Sequence, residues 1–248
     1  DAAQGDLGRS YRTRQPVMEA ITERLPVTLQ IGFMAIAIAL ILAIPLGTLS
    51  AYKAGAAVDR GITGTSFALL SVPSFLMAIL LILVFAETLE WLPATGWTRL
   101  TTDPLENLRG AILPALALAI GEMAVYTRLL RADMITTLQQ DSITMARAKG
   151  LPPARILFRH ALRPSSFSLI TVVGLQIGAV ISGAVLVETL FAVPGVGRLL
   201  VDSILQRDLI MVQGIALVVA ASFVVVNLAV DLAYVLLDPR IRHGHATA

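Results

Sequence analysis

Four long stretches without a single charged side chain dominate this sequence, and they limit what the chain can fold into. They are residues 25–52, 61–86, 164–187 and 209–230. Each is longer than the roughly 20 residues that an α-helix needs to cross the hydrocarbon core of a bilayer. A segment in lipid has to be helical, because no water is present there to hydrogen-bond with open backbone groups. A fifth stretch, 110–130, is interrupted only by Glu122 and Arg128. The pattern predicts an all-α polytopic membrane protein with five transmembrane helices.

The basic residues predict the orientation of these spans. Five spans place the two ends of the chain on opposite sides, and one side then receives eleven Arg and Lys residues: Lys53, Arg60, Arg128, Arg131, Arg147, Lys149, Arg155, Arg159, Arg163, Arg240 and Arg242. The other side receives Arg99, Arg109, Arg198, Arg207 and four Arg of the N-terminal segment. Because basic loops stay in the cytoplasm, we expect the loop 132–164 and the C-terminus there. The segment 1–24 is then external, and an additional first helix, absent from this sequence, would explain that position.

Composition narrows the class of function further. Only 15% of the residues are charged, whereas a soluble domain carries about 25%. The net charge is +2, and because the basic residues lie in loops between spans, membrane topology explains them and no nucleic-acid partner is expected. The chain has no cysteine, so a disulfide framework is excluded.

The cytoplasmic loop carries the signals of a short helical pair. Asp141 or Ser142 can cap a first helix, which Gly150 and Pro152 end. Pro153 can then open a second short helix. Such a basic helical pair has two possible uses. It can lie on the membrane with its Arg residues against anionic lipid, or it can dock a soluble cytoplasmic partner.

The loop motifs "TMARAKG" and "LFRHALRP" resemble the EAA loop of binding-protein-dependent ABC importer permeases, and in particular the B-type permeases of the dipeptide, oligopeptide and nickel subgroup. Thr144, Met145 and Ala146 stand where the general pattern has Glu-Ala-Ala, so the acidic residue is absent, as is usual in that subgroup. The resemblance implies docking to an ATPase subunit, through Asp141, Ser142, Ile143, Thr144, Met145, Ala146, Arg147, Ala148, Lys149, Gly150 and Leu151.

Four further motifs extend the resemblance over almost the whole chain: "GDLGRSYRTRQPV" from Gly5, "SVPSF" from Ser71, "VETLFAVPGVGRLLVDSILQRDLIMVQG" from Val187 and "LLDPRIR" from Leu236. The family has six helices, so the first is expected to be missing from this single permease domain, 1–248. The third motif resembles an external re-entrant segment, 188–208. By that resemblance, the external gate is expected at Phe191, Pro194, Gly195 and Gly197.

The energy for transport has to come from another polypeptide. The two lysines, Lys53 and Lys149, are followed by Ala and Gly, so the chain has no GxxxxGK[ST] phosphate loop. It also lacks HExxH and GxSxG. We therefore expect neither catalysis nor a metal or cofactor in this chain, with ATP and Mg²⁺ bound by partner subunits. The resemblance implies a heterodimer with a second permease, two ATPase chains and an extracytoplasmic substrate-binding protein, in the cytoplasmic (inner) membrane of a bacterium or archaeon.

Candidates for the substrate pathway are the polar or helix-bending residues within spans: Glu122, Ser71, Pro73, Ser74 and Gln176. An acidic residue such as Glu122 is expensive in a membrane and is often functional, although a structural hydrogen bond is the alternative. The expected substrate is a short peptide, with nickel chelates or glutathione as alternatives within the family. An ion-coupled secondary carrier and a membrane scaffold without transport remain as alternatives of other classes.

Overall fold

The computed structural model of the chain describes residues 7–237, without the side chains of 178–183, 231 and 233–237. Within this range the chain forms ten α-helices. In chain order they are α1 Val17–Tyr52, α2 Ala57–Leu70, α3 Ser74–Leu81, α4 Pro104–Leu138, α5 Asp141–Ala148, α6 Pro153–Arg155, α7 Arg163–Gly183, α8 Val185–Leu190, α9 Val196–Leu205 and α10 Leu209–Leu237. Two π-helical segments, Ile82–Thr88 and Ile156–Leu162, extend α3 and join α6 to α7. The all-α prediction is confirmed.

Three helices are long and apolar enough to cross a membrane among the residues described: α1, α4 and the part 209–230 of α10. The helix α7 covers most of the third charge-free stretch, 164–187, but the side chains of its last six residues are outside the described part of the chain. The count of five spans therefore stays a prediction. So does the placement of the basic tail with Arg240 and Arg242, which lies outside the described residues.

The second predicted span is not one straight helix. The chain breaks at 71–73, and the helices on either side of the break are bent by 100° to one another. Ser71 ends α2 and Pro73 is the N-cap of α3. A proline disfavours helical backbone in the residue before it, which here is Val72. Pro73, which was expected to bend this helix, therefore lies at the observed break.

α1 and α4 each begin several residues before the apolar stretch that predicts them. α1 begins at Val17, inside the segment 1–24 that was expected to precede the first span. α4 begins at Pro104, a residue suited to the first helical position because it has no N–H to leave unpaired. The Asp103 side chain caps this helix, accepting hydrogen bonds from the backbone N–H groups of Leu105 and Glu106 at 3.0 and 3.1 Å. The polar ends of these helices add turns that a search for apolar residues does not detect.

The chain divides into two compact units. The first unit contains the residues up to 33, 95–97 and those from 173 onward. Its core packs the start of α1 against α9 and the start of α10, through Val17, Ile21, Val196, Met211 and Ile215. All five side chains are almost completely buried.

The second unit contains 34–94 and 98–172. In it, α2 and α3 pack against α4. An ion pair reinforces this packing: Arg131 of α4 donates to both carboxylate oxygens of Asp59 in α2, at 2.6 and 2.8 Å. The Ser50 hydroxyl near the end of α1 and the Gly55 N–H also donate to Asp59, at 2.5 and 2.8 Å. One buried carboxylate thus connects α1, α2 and α4.

Candidate coupling site and external segment

The first helix of the cytoplasmic loop is attached to the second unit by one narrow apolar face. Ile143 and Ala146 of α5, one turn apart, are buried together with Ile156. Leu138 at the end of α4 and Leu151 pack against this cluster. Since only these two side chains of α5 are buried, the remainder of the helix is available for contact with another molecule.

The exposed face of α5 holds most of the residues that were expected to dock a partner. Met145 is the most prominent apolar side chain there, with 60% of its surface exposed. The other exposed positions are Asp141, Ser142, Thr144, Arg147, Ala148, Lys149 and Gly150. Ile143 and Ala146 belong to the anchoring face instead, and Leu151 is half-buried. The eleven predicted docking residues therefore divide into an anchoring set and a presenting set.

The turn after α5 is a Schellman motif built around Gly150. The Leu151 N–H donates to the Ala146 carbonyl at 3.3 Å and the Gly150 N–H donates to the Arg147 carbonyl at 2.9 Å. Gly150 has φ = +71°, a left-handed conformation that glycine adopts without a steric penalty. Leu151 makes the apolar contact that usually accompanies this motif. The predicted helix end at Gly150 is confirmed.

Two details of the loop differ from expectation. The N-cap of α5 is Gln140, and no side chain caps it, so Asp141 and Ser142 do not have that role. The second helix does begin at Pro153, but it is not short. It continues through the π-helical segment Ile156–Leu162 into α7. Pro164 has no N–H for the usual hydrogen bond and crowds the preceding turn, which is consistent with the wider winding just before it.

A cleft of about 550 Å³ lies beside α5. The residues that line it include Ala51, Tyr52, Leu138, Arg147, Leu151 and Ile156. They come from the end of α1, the end of α4 and both helices of the loop. The second unit therefore offers a projecting helix next to a partly apolar cleft.

The segment 188–208, which was expected to be external, is a tight pair of helices joined through the carboxylate of Glu188. This side chain lies in α8 and is completely buried. It accepts hydrogen bonds from the Thr28 hydroxyl of α1 at 2.6 Å and from the Arg198 N–H of α9 at 3.0 Å. The Thr28 oxygen in turn accepts from the Val196 N–H at 2.9 Å. A carboxylate at the N-terminus of α9 satisfies N–H groups that have no partner within the helix.

The glycines of this segment allow the close approach of Glu188. A Cβ atom on Gly195 would overlap the Glu188 carboxylate, and one on Gly197 would lie 2.6 Å from the Val185 Cα. Of the other predicted gate residues, Phe191 is buried and Pro194 is exposed. The four gate residues therefore lie in and beside one short turn. Glu188 itself was not predicted, although an acidic residue placed directly after a charge-free stretch and before Pro-Gly-x-Gly was a usable signal.

A second buried carboxylate holds the N-terminal residues in the first unit. Asp208 accepts a hydrogen bond from the Ser10 hydroxyl, and its other oxygen accepts from the N–H groups of Tyr11 and Met211, each at 3.3 Å. Burial alone would raise the pKa of this carboxyl. The hydrogen bonds from Ser10, Met211, Tyr11 and Arg12 outweigh burial and keep the pKa of Asp208 below its ordinary value. The two segments that were expected to be external, 1–24 and 188–208, are thus in direct contact.

The predicted pathway residues do not form one site. Ser71, Pro73 and Ser74 are exposed at the break between α2 and α3. Glu122 is half-buried in α4, one turn before the buried Tyr126, and interacts with it. Gln176 lies in α7, in the part assigned to the other unit. In the described part of the chain, no cluster of three or more His, Cys, Asp or Glu side chains is placed to hold a metal ion.

Residues 43–243 match the family of binding-protein-dependent transport system inner membrane components. The chain belongs to this family. Similar proteins include a putative peptide transport system permease protein of Brucella abortus (strain 2308), 42% identical over 96% of this chain and 76% of that protein. The oligopeptide transport system permease protein AppB of Bacillus subtilis (strain 168) is 42% identical over 97% of this chain and 77% of its own length. The di/tripeptide transport system permease protein DppB of Pseudomonas aeruginosa (strain UCBPP-PA14) is 38% identical over 97% and 78%.

Solved structures agree on the fold of this inner membrane component. A chain of the inward-facing MetNI methionine ABC transporter superposes with a TM-score of 0.74 at 12% identity, over 90% of this chain and 99% of that chain. A chain of an amino acid ABC transporter crystallised with histidines has a TM-score of 0.62 at 15% identity, over 90% and 94%. The family match and the relatives confirm the expected class, the membrane subunit of an ABC importer, and the solved structures confirm its fold.

The residues that match the family, 43–243, include α5, the Gly150 turn and the segment 188–208. The match leaves out the residues before 43, and with them Ser10 and Thr28. The contacts Thr28–Glu188 and Ser10–Asp208 each join a residue inside the matched range to one ahead of it. The individual relatives match across 96–97% of the chain, so their similarity includes Thr28.

Proposed function

We propose that this inner membrane component is a permease subunit of an ATP-driven importer of short peptides, and that α5 receives the movement of an ATPase subunit. One observation carries the proposal: α5 is attached by Ile143 and Ala146 alone and presents its remaining side chains outward. A helix of this kind suits contact with a second protein. The absence of a phosphate loop from the sequence agrees with nucleotide binding in a partner.

The connections of α5 provide a route for that movement. Only two residues separate the end of α4 from the start of α5, and the chain beyond Gly150 leads through Pro153 into α7. A buried hydrogen bond of 2.9 Å between Thr137 and Ser165 joins the same two long helices. A displacement of α5 would therefore reach both α4 and α7 as packed, rigid elements. Binding of ATP would favour one arrangement only if the ATPase holds α5 more tightly in that arrangement.

The external segment 188–208 is the proposed outer gate. Its helical pair is stabilised by Glu188, and its turn carries Phe191, Pro194, Gly195 and Gly197. We place this segment and the N-terminal residues outside the cytoplasm and the loop 132–164 and the C-terminus inside, in agreement with the distribution of basic residues. Ser71, Pro73, Ser74, Glu122 and Gln176 remain proposed pathway residues.

The names of the relatives support a peptide as the substrate. The Brucella abortus protein is described as a peptide transport protein, AppB as an oligopeptide transport protein and DppB as a di/tripeptide transport protein. The proposed complex contains a second permease, two ATPase chains that bind ATP and Mg²⁺, and an extracytoplasmic substrate-binding protein. Its proposed location is the cytoplasmic (inner) membrane of a bacterium or archaeon.

The test is uptake by the complete complex in liposomes, with labelled dipeptide, tripeptide, nickel chelate and glutathione offered separately. We expect peptide uptake that requires ATP and the substrate-binding protein. Uptake of nickel or glutathione without uptake of peptide would contradict the proposed substrate, and the assignment as an ATP-driven importer would stand. Uptake driven by an ion gradient in the absence of ATP would contradict the proposal as a whole.

A further inference from the structure

A cavity of about 560 Å³ lies between α2 and α4 of the second unit, and its lining includes no residue of α5. It is lined by Thr63, Phe67, Val125, Arg128, Leu129, Arg131 and Ala132. Two of these residues are basic and the others are apolar, apart from Thr63. None of the functions proposed above uses this cavity.

The charge of the cavity comes from one residue. Arg131 is already neutralised by Asp59, which it contacts through two hydrogen bonds. The Arg128 guanidinium lies over the Phe67 ring, 4.5 Å from its centre. Among the residues that the structure describes, this ring is the sole partner of Arg128, and both side chains are exposed. The cavity therefore presents one uncompensated positive charge above an apolar wall.

Arg128 lies about one membrane thickness from Arg109 along α4. Arg109, near the other end of the helix, pairs with Glu106 at 4.0 Å. The 19 residues from Arg109 to Arg128 span about 28 Å at 1.5 Å per residue, close to the thickness of the hydrocarbon core, about 30 Å. If Arg109 is at the external surface, Arg128 lies where the cytoplasmic leaflet presents its phosphates. That leaflet is the one rich in anionic lipid.

We propose that the cavity between α2 and α4 binds an anionic phospholipid of the cytoplasmic leaflet. The Arg128 guanidinium contacts the lipid phosphate, and an acyl chain lies along Phe67, Val125 and Leu129. The one uncompensated cation can neutralise the single negative charge of a phosphodiester. The apolar wall of the cavity can contact the acyl chain of the lipid. This site is separate from the coupling role of α5 and does not depend on the nature of the transported substrate.

The test uses the complete complex in nanodiscs of phosphatidylcholine that contain a small fraction of photoactivatable phosphatidylglycerol. After illumination the protein is digested, and the fragments that carry the lipid label are identified by mass spectrometry. We expect labelling within 63–67 and 125–132. R128Q should lower that labelling about fivefold, the factor that one basic side chain near an anionic surface is worth. R128K should retain it, and R109Q is the matched control that should leave it unchanged.

Three results would overturn the proposal. Equal labelling in R128Q and wild type would show that Arg128 does not bind the lipid. Loss of labelling on addition of inorganic phosphate would indicate a site for a soluble anion. Cross-links from Phe67 and Arg128 to the second permease would show that a protein covers this face. F67L is a second variant that retains the charge and the apolar wall, and a smaller decrease than in R128Q is expected from it.

Discussion

The proposed coupling helix α5 and the proposed outer gate, 188–208, are stabilised in opposite ways. α5 is attached by two apolar side chains and a glycine turn, and its exposed face is open to other molecules. The segment 188–208 is held by a buried carboxylate with three donors, the Thr28 hydroxyl and the N–H groups of Gly197 and Arg198, and by backbone too close for a Cβ atom. The comparison predicts that substitutions on the exposed face of α5 change the stability of the fold little, whereas small changes inside the segment 188–208 lower that stability.

Glu188→Ala should give the largest effect. It would leave the Thr28 hydroxyl and the N–H groups of Gly197 and Arg198 without their shared acceptor. Unpaired buried polar groups cost roughly 1–3 kcal/mol each, so we expect the protein to lose about 3 kcal/mol of stability. The measurement is the melting temperature of the purified complex. Glu188→Gln, which keeps one acceptor oxygen, should lose less, and equal stability of Glu188→Ala and wild type would contradict the role of this carboxylate.

Gly195→Ala should come next, because its Cβ would overlap the Glu188 carboxylate. Overpacking of this kind costs about 2 kcal/mol. Gly64→Ala is the matched control. Gly64 lies inside α2, and a Cβ added there would have no neighbouring atom within 4 Å, so this change should stabilise the helix by roughly 0.5–1 kcal/mol. If both variants shift the melting temperature in the same direction, close packing at Gly195 is not the cause.

Gly150→Leu tests the other side of the comparison. The left-handed backbone at φ = +71° disfavours a branched side chain by about 1–2 kcal/mol, although the space around the residue is open. We expect normal membrane insertion with reduced recovery of the ATPase and reduced uptake. Gly150→Asn should largely preserve both, because asparagine tolerates this conformation. Wild-type uptake by Gly150→Leu would mean that the geometry of this turn is not needed for coupling.

The smallest effect is expected at Asp208 and depends on pH. A carboxyl whose folded-state pKa lies below its ordinary value stabilises the fold above that ordinary value, about 3.9. The stabilisation is lost as the pH falls through the folded-state pKa. The backbone amides of Tyr11 and Arg12 should therefore exchange hydrogen faster as the pH is lowered below about 4, beyond the intrinsic change in rate. In Asp208→Asn this additional acceleration should be absent; if it persists, another group is responsible.

The sequence predicted the helices better than the contacts between them. Charge-free stretches place helices because lipid excludes charge, and Gly150 with Pro152 marks a helix end through local backbone preferences. Pro73 predicted the bend at 71–73 but not its angle of 100°, because proline marks a break while packing against α4 contributes to the angle.

The three buried carboxylates were missed because their partners are distant in the chain. Thr28 and Glu188 are 160 residues apart, Asp59 and Arg131 are 72 apart, and Ser10 and Asp208 are 198 apart. A single sequence gives no sign of such pairs, since local spacing carries no information about them.

The most direct test of the coupling role uses the absence of cysteine from this chain. Single cysteines at Met145 and Ile143 are labelled with a thiol-reactive photocrosslinker in the assembled complex, and the adducts are identified by mass spectrometry. Met145 is 60% exposed and Ile143 is 1% exposed, so position 145 should cross-link to the ATPase subunit and position 143 should not. An active complex with no ATPase adduct at position 145, or with equal adducts at both positions, would contradict the assignment of α5 as the coupling helix.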